Sequence, residues 1–265
     1  MKSMGKIVTI HSSRGGTGKS LISVNTAAVL ANKGKNVCLL DLDFRAPTMY
    51  VVFKLSTEYW LNNFLNRDCE IENVLYDLTQ RYNTKGKFLV GLADPSMLAI
   101  REMSMKDRKW EMKALQRLLS LRKLFEERKI DYIIFDTSPG IQYASVNAVV
   151  SSDTVAVVTT MDALDIQGTR SMIEDLYEAF GKKTGILLNK VLLPYSVPSL
   201  SPLTEADKEN LSRQLKETFG IPIFGTIPCY CDVLRTSRTV ILAFQNPEHP
   251  FAKDIEKFVE ALERA

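Results

Sequence analysis

The chain has 265 residues, with 34 Lys+Arg against 31 Asp+Glu, and a formal net charge of +3 is too mild to announce a nucleic-acid binder, though a locally basic face stays open. Apolar residues make up 45% and charged residues 25%, the balance of an ordinary globular protein, and no run approaches the roughly 18 apolar residues of a membrane helix. MKSMGKIVTI lacks the long apolar region of a signal peptide, and Cys38, Cys69, Cys229 and Cys231 are too few and too unevenly spaced for a secreted disulfide framework, so a cytoplasmic protein is expected.

The first stretch with chemistry in it is 6–20, KIVTIHSSRGGTGKS. A β-branched run ends at His11, a glycine-rich turn follows, and an Ala- and Leu-bearing segment runs on to Gly34, which reads as strand, phosphate loop and helix. Gly15, Gly16 and Gly18 let backbone N–H groups, that of Thr17 among them, converge where side chains would block them. The helix aims its positive end at the same point, so a triphosphate is the expected guest. Lys19 places an ammonium on the β- and γ-phosphates, and the Ser20 hydroxyl can hold Mg²⁺. The strict pattern GxxxxGK[ST] fails at its first position, where Ser13 stands.

Residues 36–43, NVCLLDLD, form a buried strand that delivers Asp41 and Asp43 to the same side at its carboxyl end. Periodicity then weakens from Phe44 to about Lys87. Within it, 58–67 and 71–80 read as two short helices inserted at about 55–85, either a partner surface or plain packing. KFLVGLADP is a strand stopped by Pro95. The spacing over 105–129 predicts one long helix with Trp110, Leu115, Leu118, Leu119, Leu121 and Phe125 on its apolar stripe; its basic residues fit a solvated face or contact with nucleic-acid phosphates.

DYIIFDTSPG has the form of a Walker B strand, with Asp136 at the sheet edge where it can hold Mg²⁺ through water. A strand (154–161), a helix (165–180) and a strand (184–190) follow. Asn189 sits at that last strand's end with an amide able both to donate to and accept from a base edge. A guanine-reading NKxD would need an acid at 192, where Leu192 stands, so adenine is expected. LPYSVPSLSP reads as a loop, a helix runs from Thr204 to about Phe219, and IPIFGTIPCYCDV carries the last strand. Cys229 and Cys231 form a CxC that is either half of a shared metal site or two small loop residues, a tetrahedral site needing four ligands. The final helix sets Phe251, Ile255, Phe258, Val259 and Leu262 on one face. It is not the basic amphipathic helix of a membrane anchor, so stable anchoring is not expected.

With a basic residue directly before the glycine pair, RGGTGKS resembles the deviant Walker A motif KGGxGK[ST] of the MinD/ParA family of dimeric ATPases. DLD, DTSPG and IPCYCDVLRTSRT resemble that family's later motifs in the same order, and GIQYASVNAVVSSD is similar to its MinD branch. The resemblance implies that Asp43 orients the attacking water, Asp41 supports the Mg²⁺ shell, and Pro228 and Cys229 wall the adenine. It also implies that Arg14 reaches the nucleotide of the opposite subunit, with a planar fork in place of the family's point ammonium. Alternating strands and helices predict one domain over 1–265, a doubly wound, mostly parallel α/β sheet. The expected activity is Mg²⁺-dependent ATP hydrolysis, slow without a protein activator, in an ATP-dependent homodimer that organises cargo in space and binds nonspecific DNA or a polar protein. A metal-insertion ATPase using the CxC and a regulatory ATP-binding module with little turnover are the other classes the residues leave open.

Overall fold

The computed structural model describes residues 5–192, 205–236 and 239–265. The loop read at 193–202 and the helix start at Thr204 lie outside the described residues. Among the described residues eight strands form one sheet: β1 (Lys6–His11), β2 (Val37–Leu42), β3 (Leu75–Asp77), β4 (Phe88–Gly91), β5 (Tyr132–Thr137), β6 (Thr154–Thr159), β7 (Lys183–Val191) and β8 (Ile223–Pro228). Their order is β3-β4-β2-β5-β1-β6-β7-β8, parallel except for β3 against β4. The expected doubly wound architecture is present.

The period-2 alternation of the strands sorts their side chains between two helical layers. Val8, Ile10, Leu39, Ile134, Ala156 and Leu187 pack with helices Lys19–Asn32 and Pro250–Arg264. On the other face, Ile7, Leu40 and Phe135 pack under helix Arg108–Ser120, and Val155, Val157, Ile186 and Leu188 pack under helices Ala163–Met172 and Glu205–Phe219. The same parity decides the site. Asp41 and Asp136 follow Leu39 and Ile134 toward helix Lys19–Asn32, whereas Thr9 and His11 follow Ile7 to the opposite face.

Two expectations need correction. The segment 71–80 is not one helix: Ile71–Val74 gives way to β3, whose residues pair with Leu89, Val90 and Gly91, and a short helix Thr79–Tyr82 follows. Without β3, the edge of β4 would leave a row of backbone donors and acceptors unpaired, and satisfying it overrides the local helical spacing. Nor is 105–129 continuous. Asp107 caps helix Arg108–Ser120 by accepting from the Trp110 N–H at 2.8 Å, a tighter turn spans Leu121–Lys123, and helix Leu124–Glu127 ends the run. That turn keeps Leu121 and Leu124 both fully buried, while Leu119 from the expected stripe is 42% exposed. The predicted helix at 165–180 widens into a π-helical turn over Ile173–Tyr177.

The segment between β2 and β4 is tied to the rest by aromatic rings. Tyr82 stacks on Phe244 at 4.6 Å between centroids, and Phe88 meets Phe53, Tyr82 and Phe244 edge-on or tilted at 5.4–6.0 Å. Phe88 is fully buried, so Phe88→Ala is expected to cost about 3–5 kcal/mol in a denaturant titration. Phe180→Ala, at a 43% exposed ring, should stay within about 0.5 kcal/mol.

Candidate functional site

The phosphate loop lies at the carboxyl end of β1, where Gly16 and Gly18 take φ of +87° and +99°. Glycine is required at 18 on a second count, because a Cβ there would stand 2.5 Å from Asn189 Nδ2. Ser13 is not at positive φ. Its hydroxyl meets the Asp165 carbonyl and Thr169 Oγ1 at 3.4 Å each, beside Gly168, so the missing first glycine costs the loop nothing. Gly18 caps helix Lys19–Asn32 with no side-chain bond and no acid in the first turn, which leaves the helix's N–H groups and positive end to a ligand. Lys19 is 7% exposed and donates to Ser12 Oγ at 2.7 Å. Burial lowers its pKa, against the raising pull of Asp136, Asp43 and Asp165.

Asp41 and Asp136 are direct register partners on β2 and β5, 1% and 0% exposed. Asp136 Oδ1 accepts from Ser23 Oγ at 2.8 Å, Asp41 Oδ1 accepts from the Asp43 N–H at 3.0 Å, and each Oδ2 is buried with no partner. Burial first, then the Asp136 and Asp43 charges, hold the Asp41 carboxyl well above the usual range. Burial likewise pushes Asp136 up to about 6, against hydrogen bonds from Ser20 and Ser23 and the Lys19 ammonium. Two orphaned carboxylate oxygens, a serine hydroxyl and an excess of negative charge are the donor set of a hard divalent cation, so Ser20, Asp41 and Asp136 fit Mg²⁺. Asp43 stands beside them, its Oδ1 accepting from Ser138 Oγ at 2.6 Å and from the N–H groups of Arg45 and Ala46.

A cavity of about 410 Å³ joins the phosphate loop to Asp43, and Asp41 and Asp136 are not among the residues that line it. Gly15, Gly16, Gly18, Lys19, Ser20 and Asp43 form its polar wall, and Leu21, Val24, Val51, Val52 and Val240 its apolar one. Thr17 is buried, with an unpartnered hydroxyl, and its carbonyl accepts from Asn189 Nδ2 at 2.7 Å. Asn189 is therefore a brace under the loop. It does not line the cavity, and neither do Pro228 and Cys229, which lie half-buried where β8 ends, the Cys229 N–H bound to the Val191 carbonyl at 2.9 Å. Burial, then the neighbouring Cys231, raises the Cys229 thiol pKa. Among the described residues no group of three or more His, Cys, Asp or Glu side chains could hold a metal, so the CxC finds no third ligand there.

Arg14 is half exposed and turned onto its own chain, with Nη1 3.4 Å from Asp162 Oδ1 and 3.5 Å from Asp165 Oδ1. Sequence reasoning did not single out Asp162, Asp165, Ser12, Ser138 or Tyr177. The DxxD spacing at the start of helix Ala163–Met172 carried a signal, since it puts both acids on the first turn; the other three are met only through the fold.

Residues 5–188 match the AAA domain family (AAA_31). Over 266 residues the chain is 28% identical to the septum site-determining protein MinD of Thermotoga maritima, a match taking in 98% of this chain and 88% of that protein. Among solved structures, the cell division ATPase MinD of Pyrococcus furiosus superposes with a TM-score of 0.75 at 22% identity, over 98% of this chain and 99% of that one. MinD of Pyrococcus horikoshii, solved with Mg-ADP, gives 0.73 at 20% identity, over 98% and 97%. At those identities the structural likeness speaks to the fold. With a family match across most of its length, the chain belongs to the AAA domain family and is a P-loop ATPase of the MinD/ParA type.

Proposed function

We propose that this chain hydrolyses ATP with Mg²⁺ and uses the ATP-bound state as a dimerisation switch that places a cargo in space. The observation that carries the reading is the pair of orphaned oxygens on Asp41 and Asp136, set beside Ser20 and Lys19 at an uncapped helix N-terminus. Bound Mg²⁺ supplies charge neutralisation at the phosphate oxygens. The backbone N–H groups of 15–20 and the Lys19 ammonium bind the phosphates, and Asp43, pinned by Ser138, orients a water. Phosphoryl transfer asks the protein mainly for positioning and charge stabilisation.

In this reading Arg14 leaves Asp162 and Asp165 and neutralises charge in the partner's site, and adenine lies toward Asn189, Pro228 and Cys229. A protein activator is the expected partner, and nonspecific DNA the surface to test first. The apolar face of the last helix, Phe251, Ile255, Phe258, Val259 and Leu262, is buried in the core.

Arg14→Ala is expected to leave the affinity for an ATP analogue within about twofold, to abolish ATP-dependent dimerisation by light scattering, and to cut turnover by about 10³. Persistence of the dimer with full turnover would remove the trans-arginine idea. Asp43→Ala should bind ATP, accumulate as the dimer and stop hydrolysis; a variant that still turns over would take the water-orienting role from Asp43.

The Asp136 carboxyl makes the stability of the metal-free protein depend on pH. A pKa raised to about 6 means that the metal-free folded state binds a proton the unfolded chain releases near the ordinary carboxyl value of 3.8. Its contribution to stability therefore declines as pH rises from about 4 to 6. Above pH 6 a bare buried carboxylate is left, a cost that a cation or an amide removes. Asp136→Asn should raise the metal-free melting temperature at pH 7 by about 3 °C and shrink, without abolishing, the further rise given to wild type by Mg²⁺ and ADP. A variant that melts lower and responds to Mg²⁺ as fully as wild type would contradict the assignment.

A further inference from the structure

Helix Ala163–Met172 and its π-helical turn run beside the end of β1 and touch it in sequence. The first turn takes Arg14, Asp165 and Thr169 take Ser13, and Tyr177 takes His11, its hydroxyl 2.7 Å from His11 Nδ1. His11 is fully buried, and its other ring nitrogen, Nε2, lies 3.1 Å from the Gly140 carbonyl oxygen. A carbonyl only accepts, so Nε2 carries the hydrogen. Burial lowers the His11 pKa to about 4, which keeps the ring neutral and leaves Nδ1 bare. The Tyr177 hydroxyl must then donate to Nδ1, and by doing so it selects the tautomer that grips Gly140.

Gly140 has φ of +72°, and its own N–H donates to the Ser12 carbonyl at 2.9 Å. The peptides on either side of the Gly140 Cα are thus each held by the end of β1. Two residues earlier, Ser138 donates to Asp43 Oδ1 at 2.6 Å, and the Ser138 carbonyl accepts from Ser145 Oγ at 2.7 Å. The path from Tyr177 to Asp43 is a row of hydrogen bonds of 2.6–3.1 Å with one turn of backbone in it. We infer that His11, fixed in one tautomer by Tyr177, is a positioning residue for hydrolysis that holds the Ser138–Gly140 segment where Ser138 can pin Asp43. His11 touches no phosphate and acts through Gly140. The inference rests on the hydrolase reading for its effect on rate and on the hydrogen bonds and burial of His11 for its effect on the loop.

The test compares His11→Leu, His11→Gln and Tyr177→Phe in the full chain. A Gln amide nitrogen lies about where His Nε2 does and can donate to Gly140, whereas Leu cannot. Measured are kcat, affinity for a fluorescent ATP analogue, melting temperature, and hydrogen exchange of the 138–142 amides. His11→Leu should lower kcat about tenfold or more with affinity within about twofold and speed exchange at the Gly140 amide. His11→Gln should recover most of both, and Tyr177→Phe should fall between. Equal kcat in the Leu and Gln variants, or 138–142 exchange unchanged in the Leu and Phe variants, would overturn the inference. A wild-type protein with no turnover would sink the hydrolase reading instead, and the exchange comparison would still decide the pairing.

Discussion

Two carboxylates facing each other across neighbouring strands set the terms for the rest of this molecule. Asp41 and Asp136 are placed by strand register, buried by helix Lys19–Asn32, and left with one unpartnered oxygen each. Such a pair is costly to leave bare and charged, and burial holds both carboxyls above the usual range, so that each tends to keep a proton that a cation could replace. Local hydroxyls and Lys19 relieve part of that cost, and Lys19 is itself held away from them on Ser12 Oγ. What remains, once those protons leave, is an excess of negative charge, which a hard divalent cation complements in sign and in its preference for oxygen donors.

The phosphate loop is braced from two sides, which explains how so many glycines can hold a fixed shape. From β7, Asn189 donates to the Thr17 carbonyl and Lys190, at φ of 56°, to the Gly16 carbonyl. From the opposite side, helix Ala163–Met172 meets Ser13 and Arg14. Carbonyls engaged outward leave the matching N–H groups turned inward, toward a ligand. Arg14 is the loosest of these contacts, half exposed and at 3.4–3.5 Å from its acids, and so the one that can be exchanged for another anion at least cost.

Much of this is legible in the sequence because it is local. RGGTGKS, the strand-end acids at 41, 43 and 136, and the alternation of strands with helices each depend on a few neighbouring residues, and the mostly parallel pairing follows from the helical crossovers between strands. What the sequence hides depends on distant partners. β3 exists because the edge of β4 needs pairing, and the break at Leu121 because both Leu121 and Leu124 find room in the core. Asn189 carries the donor chemistry read from its amide, yet spends one N–H on the loop's backbone, a contact across 172 positions that no spacing rule reaches. His11 reads as the end of a strand and nothing more, since its partners, Tyr177 and Gly140, are set by which face odd-numbered residues of β1 occupy.

The central claim, that the buried carboxylate pair is a cation site, is tested most directly by counting protons. Calorimetric titration of Mg²⁺ and ADP at pH 6, in buffers of different ionisation enthalpy, measures protons released on binding. Wild type should release more than Asp136→Asn, by an excess that fades at pH 8, where Asp136 is already bare. Equal release by the two proteins at pH 6, with both binding the metal nucleotide, would contradict the account.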